Sequence, residues 1–297
     1  MFIHKLIKGY VLNNKVLKDS LLVNFSYLVY EFVRHFFFSG FRYYKISRLS
    51  KLKSSDTLVI IGAGSTINEL SDDQLGELGS YDVAGLSYSG VLPIRQTFYF
   101  YESPSAHEKE LMLEHAHKLL PVILDNNKKG ALNKLIWKNS ENKIFNQHFD
   151  LSQFVCPNVC SILTDNYNTI KKILKYCKKY KLNKYFLVQI RGSVAALVQF
   201  GILLKYKKII FVGVDLNTGK YFFENNEKYM SHNFADPYSF DNTYTSNVHR
   251  TNNPALGIPI IEVLRIFFEE EPNIQFYVSS KNSALIKLLP LWDWQNT

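Results

Sequence analysis

The 297-residue sequence predicts an α/β fold, a mainly parallel sheet with helices on both faces. Two observations carry that prediction. Short runs such as Thr57–Ile61 and Lys208–Val214 are apolar throughout instead of alternating, the pattern of strands buried on both sides. Stretches of helical period separate many of these runs, and strands alternating with helices pair in parallel. Hydrophobic residues make up 46% of the chain and charged residues 21%, so it can bury a real core and is not a disordered polymer.

Residues 1–53 form an appendage of different character. They hold ten Lys and Arg side chains against two acids, Asp19 and Glu31, while the rest of the chain is nearly balanced within a net charge of +9. A nucleic-acid-binding body would carry its own basic excess, so nucleic acid is not an expected partner. Leu21 to Phe38 has the length of a membrane span, but Asn24, Glu31, Arg34 and His35 interrupt it. Two readings fit. One is an amphipathic helix lying in an anionic membrane interface, its flanking lysines each attracted by about 1 kcal/mol. The other is a helix packed on the body or on a second subunit. The first makes the protein peripheral, on the inner face of the cytoplasmic membrane.

From residue 54 to 297 the chain reads as one domain. Strands are expected at Thr57–Ile61, Val83–Leu86, Thr97–Tyr101, Pro121–Leu124, Val159–Leu163, Tyr185–Gln189, Lys208–Val214 and Ile274–Val278. Helices are expected at Ile67–Leu78, with Ser71 as a cap, and at His107–Leu120, Asn168–Tyr180, Gly192–Lys205, Gly257–Glu270 and Asn282–Leu288. Leu216 to Val248 has no clear period and carries Tyr221, Tyr229, Tyr238 and Tyr244, which reads as a lid over about residues 216–248 or as a disordered loop. Cys156, Cys160 and Cys177 are odd in number and follow no secretory signal, so they are expected as buried thiols in a reducing cytosol.

Ligands of such folds gather at the carboxyl ends of the strands. Gly62-Ala63-Gly64-Ser65 follows the first strand as a turn able to present N–H groups to a phosphate. Ile67 stands where the dinucleotide fingerprint needs its third glycine, which disfavours NAD. Ser87 and Tyr88 follow the second strand, Glu102 the third, and Arg191-Gly192-Ser193 a later one. Gly213 and Asp215 end another. Arg191 suits a carboxylate or phosphate, Gly192 and Ser193 an anion at a helix start, and Asp215 a base or ribose. Each has a plain alternative as a connecting turn, a helix cap or a loop ion pair. His249 is a candidate general base, and His115 and His117 are read as solvated. No Asp-x-Asp occurs, which argues for chemistry without a metal.

In order, the segments IIGAGSTINEL, RGSVAALVQFGILLKYKKIIFVGVD, the Tyr-rich stretch, HRTNN and IQFYVSSKNSALIKLLP resemble the bacterial sialyltransferases of glycosyltransferase family 42, over roughly Thr57 to Pro290. The resemblance implies a single Rossmann-like domain with a lid and a CMP-activated sialic acid as donor substrate. It also implies a glycan or glycolipid acceptor of the lipopolysaccharide or capsule type, and no metal or other cofactor. It assigns Gly62, Gly64 and Ser65 to the donor-phosphate turn, with Ala63 where the family has an asparagine. Ser87 and Tyr88 stand in place of a nucleotide-contacting Asn-Gln pair, and Glu102 in place of another donor-contacting asparagine. Ser193 matches a nucleotide-binding serine, and Arg191 approximates an active-site arginine after a small register shift. Gly213 and Asp215 match. Asn217 replaces one phosphate-binding tyrosine, and Tyr221 stands for the other. His249 matches the general base. The departures leave the sugar open among sialic acid, related nonulosonic acids and Kdo, and Glu102 as a nucleophile would make the reaction retaining. Two rival readings are a Rossmann methyltransferase using Asp82 as its ribose acid and a non-catalytic membrane-associated scaffold. The oligomeric state is left open, homo-oligomers included.

Overall fold

The computed structural model describes residues 11, 13–38, 44–102, 109–137, 147–150, 152–224, 226–230 and 249–294. A one-turn helix α1 (Lys15–Asp19) leads into α2 (Leu21–Phe38). Then come β1 (Thr57–Ile61), α3 (Asp72–Glu77), β2 (Asp82–Leu86), β3 (Gln96–Tyr101), α4 (Lys109–Lys128) and β4 (Leu132–Trp137). The second half brings β5 (Asn158–Ser161), α5 (Tyr167–Lys179), β6 (Phe186–Gln189), α6 (Ser193–Leu203) and β7 (Lys208–Val212). It closes with α7 (Glu227–Met230), α8 (Ile260–Glu270) and β8 (Gln275–Val278).

Six strands form one sheet in the order β4-β3-β2-β1-β7-β8, and β5 pairs with β6 in a second sheet. Every pairing between these strands is parallel. The sheet is covered on both faces, as the unbroken apolar runs require. Leu58 and Ile60 of β1 join the core shared with α5, α6 and α8, while Val59 and Ile61 join the core beneath α4. Phe98 and Phe100 against Tyr99 and Tyr101 divide β3 in the same way.

One expected strand is absent and one unexpected strand is present. Pro121–Leu124 is not a strand but lies inside α4. Ala116, Leu119, Leu120 and Ile123 are all buried at a 3–4 spacing, so one continuous apolar face holds the helix together across the proline. The strand that completes the sheet is β4, an edge strand whose exposed Asn133 interrupts the apolar pattern. Ser71 does cap α3, in a reciprocal capping box with Gln74.

The described part of the appendage packs on the body. Asn24 and Leu28 are fully buried. Asn24 Oδ1 accepts from the amides of Leu163 and Thr164 at 2.8 and 3.0 Å, just past β5. Phe32 meets Phe186 with ring centroids 5.7 Å apart, and Lys18 pairs with Asp165 at 2.5 Å. Lys5, Lys8 and Arg42 lie outside the described residues. The three cysteines are free and buried, and burial pushes Cys156 and Cys177 up to about 12, leaving them inert thiols.

At the amino ends of the strands Asp82 opens β2, fully buried. It accepts from Ser54 N at 2.9 Å, Ser54 Oγ at 2.6 Å, Ser55 N at 3.2 Å and Tyr206 Oη at 2.7 Å. This carboxylate pins the segment entering β1 to the base of the sheet.

Candidate functional site

The opposite, carboxyl end of the strands carries unusual backbone. Ser87 (φ 55°), Arg191 (φ 62°) and Leu216 (φ 62°) are left-handed residues with side chains, at or just past β2, β6 and β7. Lys181 and Lys205, the other two among the described residues, end helices, where this conformation is ordinary. A strained residue costs about 1–3 kcal/mol and persists where its surroundings fix it, typically at sites that do chemistry.

The glycine turn after β1 is sealed from within. Gly62 N donates to Val212 O and Gly64 N to Gly213 O, both at 2.8 Å, and Ser65 N donates to Lys220 O at 3.2 Å. In this structure the amides of Gly62, Gly64 and Ser65, expected as a phosphate cradle, are engaged within the fold. Ser65–Glu69 continues as a short 3-10 helix instead of an α-helix, and it offers no extended dipole. The glycines serve close approach. A β-carbon on Gly64 would stand 2.5 Å from the carboxyl carbon of Asp215, and Gly213 sits in the left-handed region at φ 61°. Tyr221 crosses the turn in an antiparallel bridge with Gly64.

Asp215 points under this turn. It accepts from Thr66 N at 3.1 Å, from the Thr66 hydroxyl and from Ser65 Oγ at 3.3 Å. Both of its oxygens are engaged, so it positions the turn. Burial raises its carboxyl above the usual range, the donors from Thr66 and Ser65 oppose that, and Glu69 adds to it.

An aromatic wall stands beside the turn. Tyr88 packs edge-on against Tyr221, Phe223 and His115, with centroids 5.4, 4.6 and 5.2 Å apart, and Tyr221 stacks on Phe223 at 5.2 Å. His115 is therefore not solvated: burial, with Lys118 nearby, pushes its ring down to about 4. Exposed His117 agrees with its expectation. The first stretch of the expected lid is also packed, since Phe222 and Phe223 are buried. Residues 231–248, including Tyr238 and Tyr244, lie outside the described residues.

The loop that carries His249 is clamped from two strands. Arg191 donates to three of its carbonyls, Leu256 O at 2.5 Å, Arg250 O at 3.3 Å and Asn253 O at 3.5 Å. The guanidinium thus supports the loop. Asn252 Nδ2 donates to Leu216 O at 3.1 Å, and its Oδ1 accepts from Ile261 N at 3.3 Å. Gly192, the N-cap of α6, faces Thr251, whose methyl would lie 3.2 Å from a β-carbon there. His249 Nδ1 lies 2.9 Å from Thr251 Oγ1, and burial lowers its pKa.

The remaining expected residues lie around this end. Ser193 is buried as the first residue of α6. Glu102 is half-buried one residue past β3. Asn217 is exposed and donates to Asn282 O at 2.6 Å. Asp82, the acid of the methyltransferase reading, sits at the other end of the sheet with its oxygens engaged, so it cannot serve there. Thr66, Thr251, Asn252 and Leu216 belong to the same end of the sheet. Their sequence signal was only proximity to the glycine turn, the HRTNN motif and the end of β7. Among the described residues no three His, Cys, Asp or Glu side chains gather as a metal-binding group.

No protein-family model matches the chain, and no curated protein does. Solved structures do. The sialyltransferase CstII from Campylobacter jejuni, in complex with the substrate analogue cytidine-5'-monophosphate, aligns with TM-score 0.46 and 19% identity, covering 81% of this chain and 86% of that one. The monofunctional α-2,3-sialyltransferase Cst-I from the same organism aligns with TM-score 0.45 and 19% identity, covering 80% of each. CST-II in complex with a trisaccharide acceptor and CMP aligns with TM-score 0.44 and 18% identity, covering 81% and 88%.

Proposed function

We propose that this chain is a glycosyltransferase that moves an acidic keto-sugar, sialic acid or a related ulosonic acid, from a CMP-activated donor to a glycan or glycolipid acceptor without a metal ion. One observation carries the reading. Asn252 ties the His249 loop to Leu216, immediately beyond the Gly213–Asp215 end of β7. The turn that Asp215 supports and the candidate base therefore share one scaffold.

On this reading the glycine turn is a floor without side chains, on which the nucleotide lies beneath Tyr221 and beside Tyr88. Tyr221 contacts the departing phosphate. A departing CMP is a phosphate monoester, so neutral donors suffice for it. His249 takes the acceptor hydroxyl proton: burial holds its pKa below 6.5, so the imidazole is neutral at pH 7 and ready to accept. Thr251 fixes the ring, since Nδ1 accepts from Thr251 N at 3.3 Å and lies 2.9 Å from Thr251 Oγ1. Arg191 acts at one remove, by fixing the carbonyls of the loop.

Calorimetry with CMP, followed by turnover with CMP-sialic acid in EDTA, tests the reading. His249→Ala should lower kcat by about 10²–10⁴ with donor KM little changed. Glu102→Gln should be mild. Absence of CMP binding overturns the nucleotide assignment. Loss of turnover on chelation, restored by Mg²⁺, overturns the metal-free chemistry. A dead Glu102→Gln with a retained product configuration makes the reaction a double displacement through Glu102.

A further inference from the structure

The outward side of α2 is apolar where water meets it. Leu22, Val29, Tyr30 and Val33 are 76%, 46%, 42% and 43% exposed, and their spacing puts them on one stripe. Asn24, Leu28 and Glu31 occupy the opposite, buried side. The helix thus docks with one face and presents a second apolar face outward.

The stripe continues onto α5. Asn24 bonds just beyond the end of β5, whereas Phe32 meets Phe186, which pairs with Asn158 at the start of β5. So α2 runs antiparallel to β5. As the crossover between parallel β5 and β6, α5 does the same. Thr169 Oγ1 donates to Asp19 O at 3.0 Å, which sets the two helices side by side. Tyr176 and Tyr180 lie about two and three turns beyond Thr169 on the same flank, level with the middle of α2. Their rings stack at 6.0 Å and are 39% and 58% exposed.

The charge of this face is one-sided. Residues 166–185 contain seven lysines and no acid. Lys171, Lys175 and Lys178 turn away to Glu269, Glu270 and Glu271 at the end of α8. Lys172 and Lys179 are exposed beside the tyrosines.

We infer that this composite face, the outer stripe of α2 with Tyr176, Tyr180 and the α5 lysines, rests on an anionic lipid surface. Exposed aliphatics, tyrosines and lysines on one plane are the chemistry of the bilayer interface. Among the described residues no helix is long and apolar enough to cross a membrane, so the contact lies along the surface. Charge complementarity selects lipid over a second copy of the chain, because a two-fold contact would bring the same lysines together.

Sedimentation of the full chain with vesicles of phosphatidylcholine, with and without phosphatidylglycerol, tests this. Binding is expected only to the anionic vesicles. Val29→Glu with Val33→Glu should reduce the bound fraction about tenfold or more, with an unchanged melting temperature and CMP affinity. Should that variant melt early, Lys172→Glu with Lys179→Glu, on the exposed side of α5, should weaken binding likewise and make it less sensitive to salt. No binding to anionic vesicles, or binding that neither pair alters, overturns the inference. So does a dimer in light scattering that the Val29/Val33 pair makes monomeric while vesicle binding stays absent, since the stripe then belongs to a second copy. CMP affinity is read separately, so failure here leaves the proposed activity standing or falling on its own test.

Discussion

Each end of the six-stranded sheet buries an aspartate, and the two carboxylates are held differently. Asp82, at the amino ends, receives two backbone amides, a serine hydroxyl and a tyrosine hydroxyl from the chain entering β1 and from Tyr206. Asp215, at the carboxyl ends, receives donors only from Ser65 and Thr66 of one turn, and burial raises its pKa. The first closes the base of the fold. The second is left partly uncompensated beneath backbone in which Ser87, Arg191 and Leu216 are strained. A buried carboxylate reads as stability at one end of this sheet and as a supported site at the other, and its donors make the distinction.

The largest effect should come from breaking the amino end. Asp82→Ala strands several buried donors, which should cost about 3 kcal/mol or more and lower Tm by roughly 10 °C. Calorimetry on the folded fraction should show CMP affinity unchanged; a weakened affinity would erase the distinction between the two ends. Next in size is Gly64→Ala, whose β-carbon collides with the Asp215 carboxyl, a loss of about 1–3 kcal/mol. Its melting temperature should recover when Asp215→Ser is added, whereas no recovery would place the clash elsewhere.

A smaller effect sharpens the comparison through pH. The native pKa of Asp215 is raised, so between its ordinary value of 3.8 and the raised one the folded state holds a proton the unfolded state lacks. The stability this brings is full below 3.8 and is lost as pH rises through the native pKa. Asp215→Asn cannot titrate, and its Tm should fall less from about pH 4 to 7 than that of the native chain. Equal slopes in a differential scanning series would remove Asp215 as the titrating group. The smallest effect is expected for Thr251→Val, which removes the hydroxyl beside His249 Nδ1. It should lower kcat about five- to tenfold with Tm unchanged and raise the pH of the acid limb, through the loss of one hydrogen bond. An unmoved pH profile would detach Thr251 from His249.

The sequence carries the central strands and the residues at their ends because both leave local marks. Thr57–Ile61 and Lys208–Val212 are apolar runs, and Gly62 and Gly213 follow them directly. Edge strand β4 is hidden, because solvent on one side admits Asn133 into its pattern. Pro121 is misleading for the converse reason: buried neighbours at helical spacing outweigh a local helix breaker. The engagement of the glycine-turn amides and of both Asp215 oxygens is invisible for a deeper reason. Their partners, Gly213, Lys220 and Thr66, bond across about 150 residues of chain, and no local pattern records such a bond. The strain at Ser87, Arg191 and Leu216 falls on residues that seldom adopt it, so composition gives no sign of it.

The bond from Asn24 to Leu163 and Thr164 also sets a schedule. Helix α2 leaves the ribosome early, but the amides that seat it are made 139 and 140 residues later. At ordinary translation rates that is a wait on the order of ten seconds, during which both apolar sides of the helix are uncovered. The helix is thus made well before the segment that seats it. An interface that takes up its outer stripe during that interval would deliver the nascent chain to its working surface before the sheet is complete.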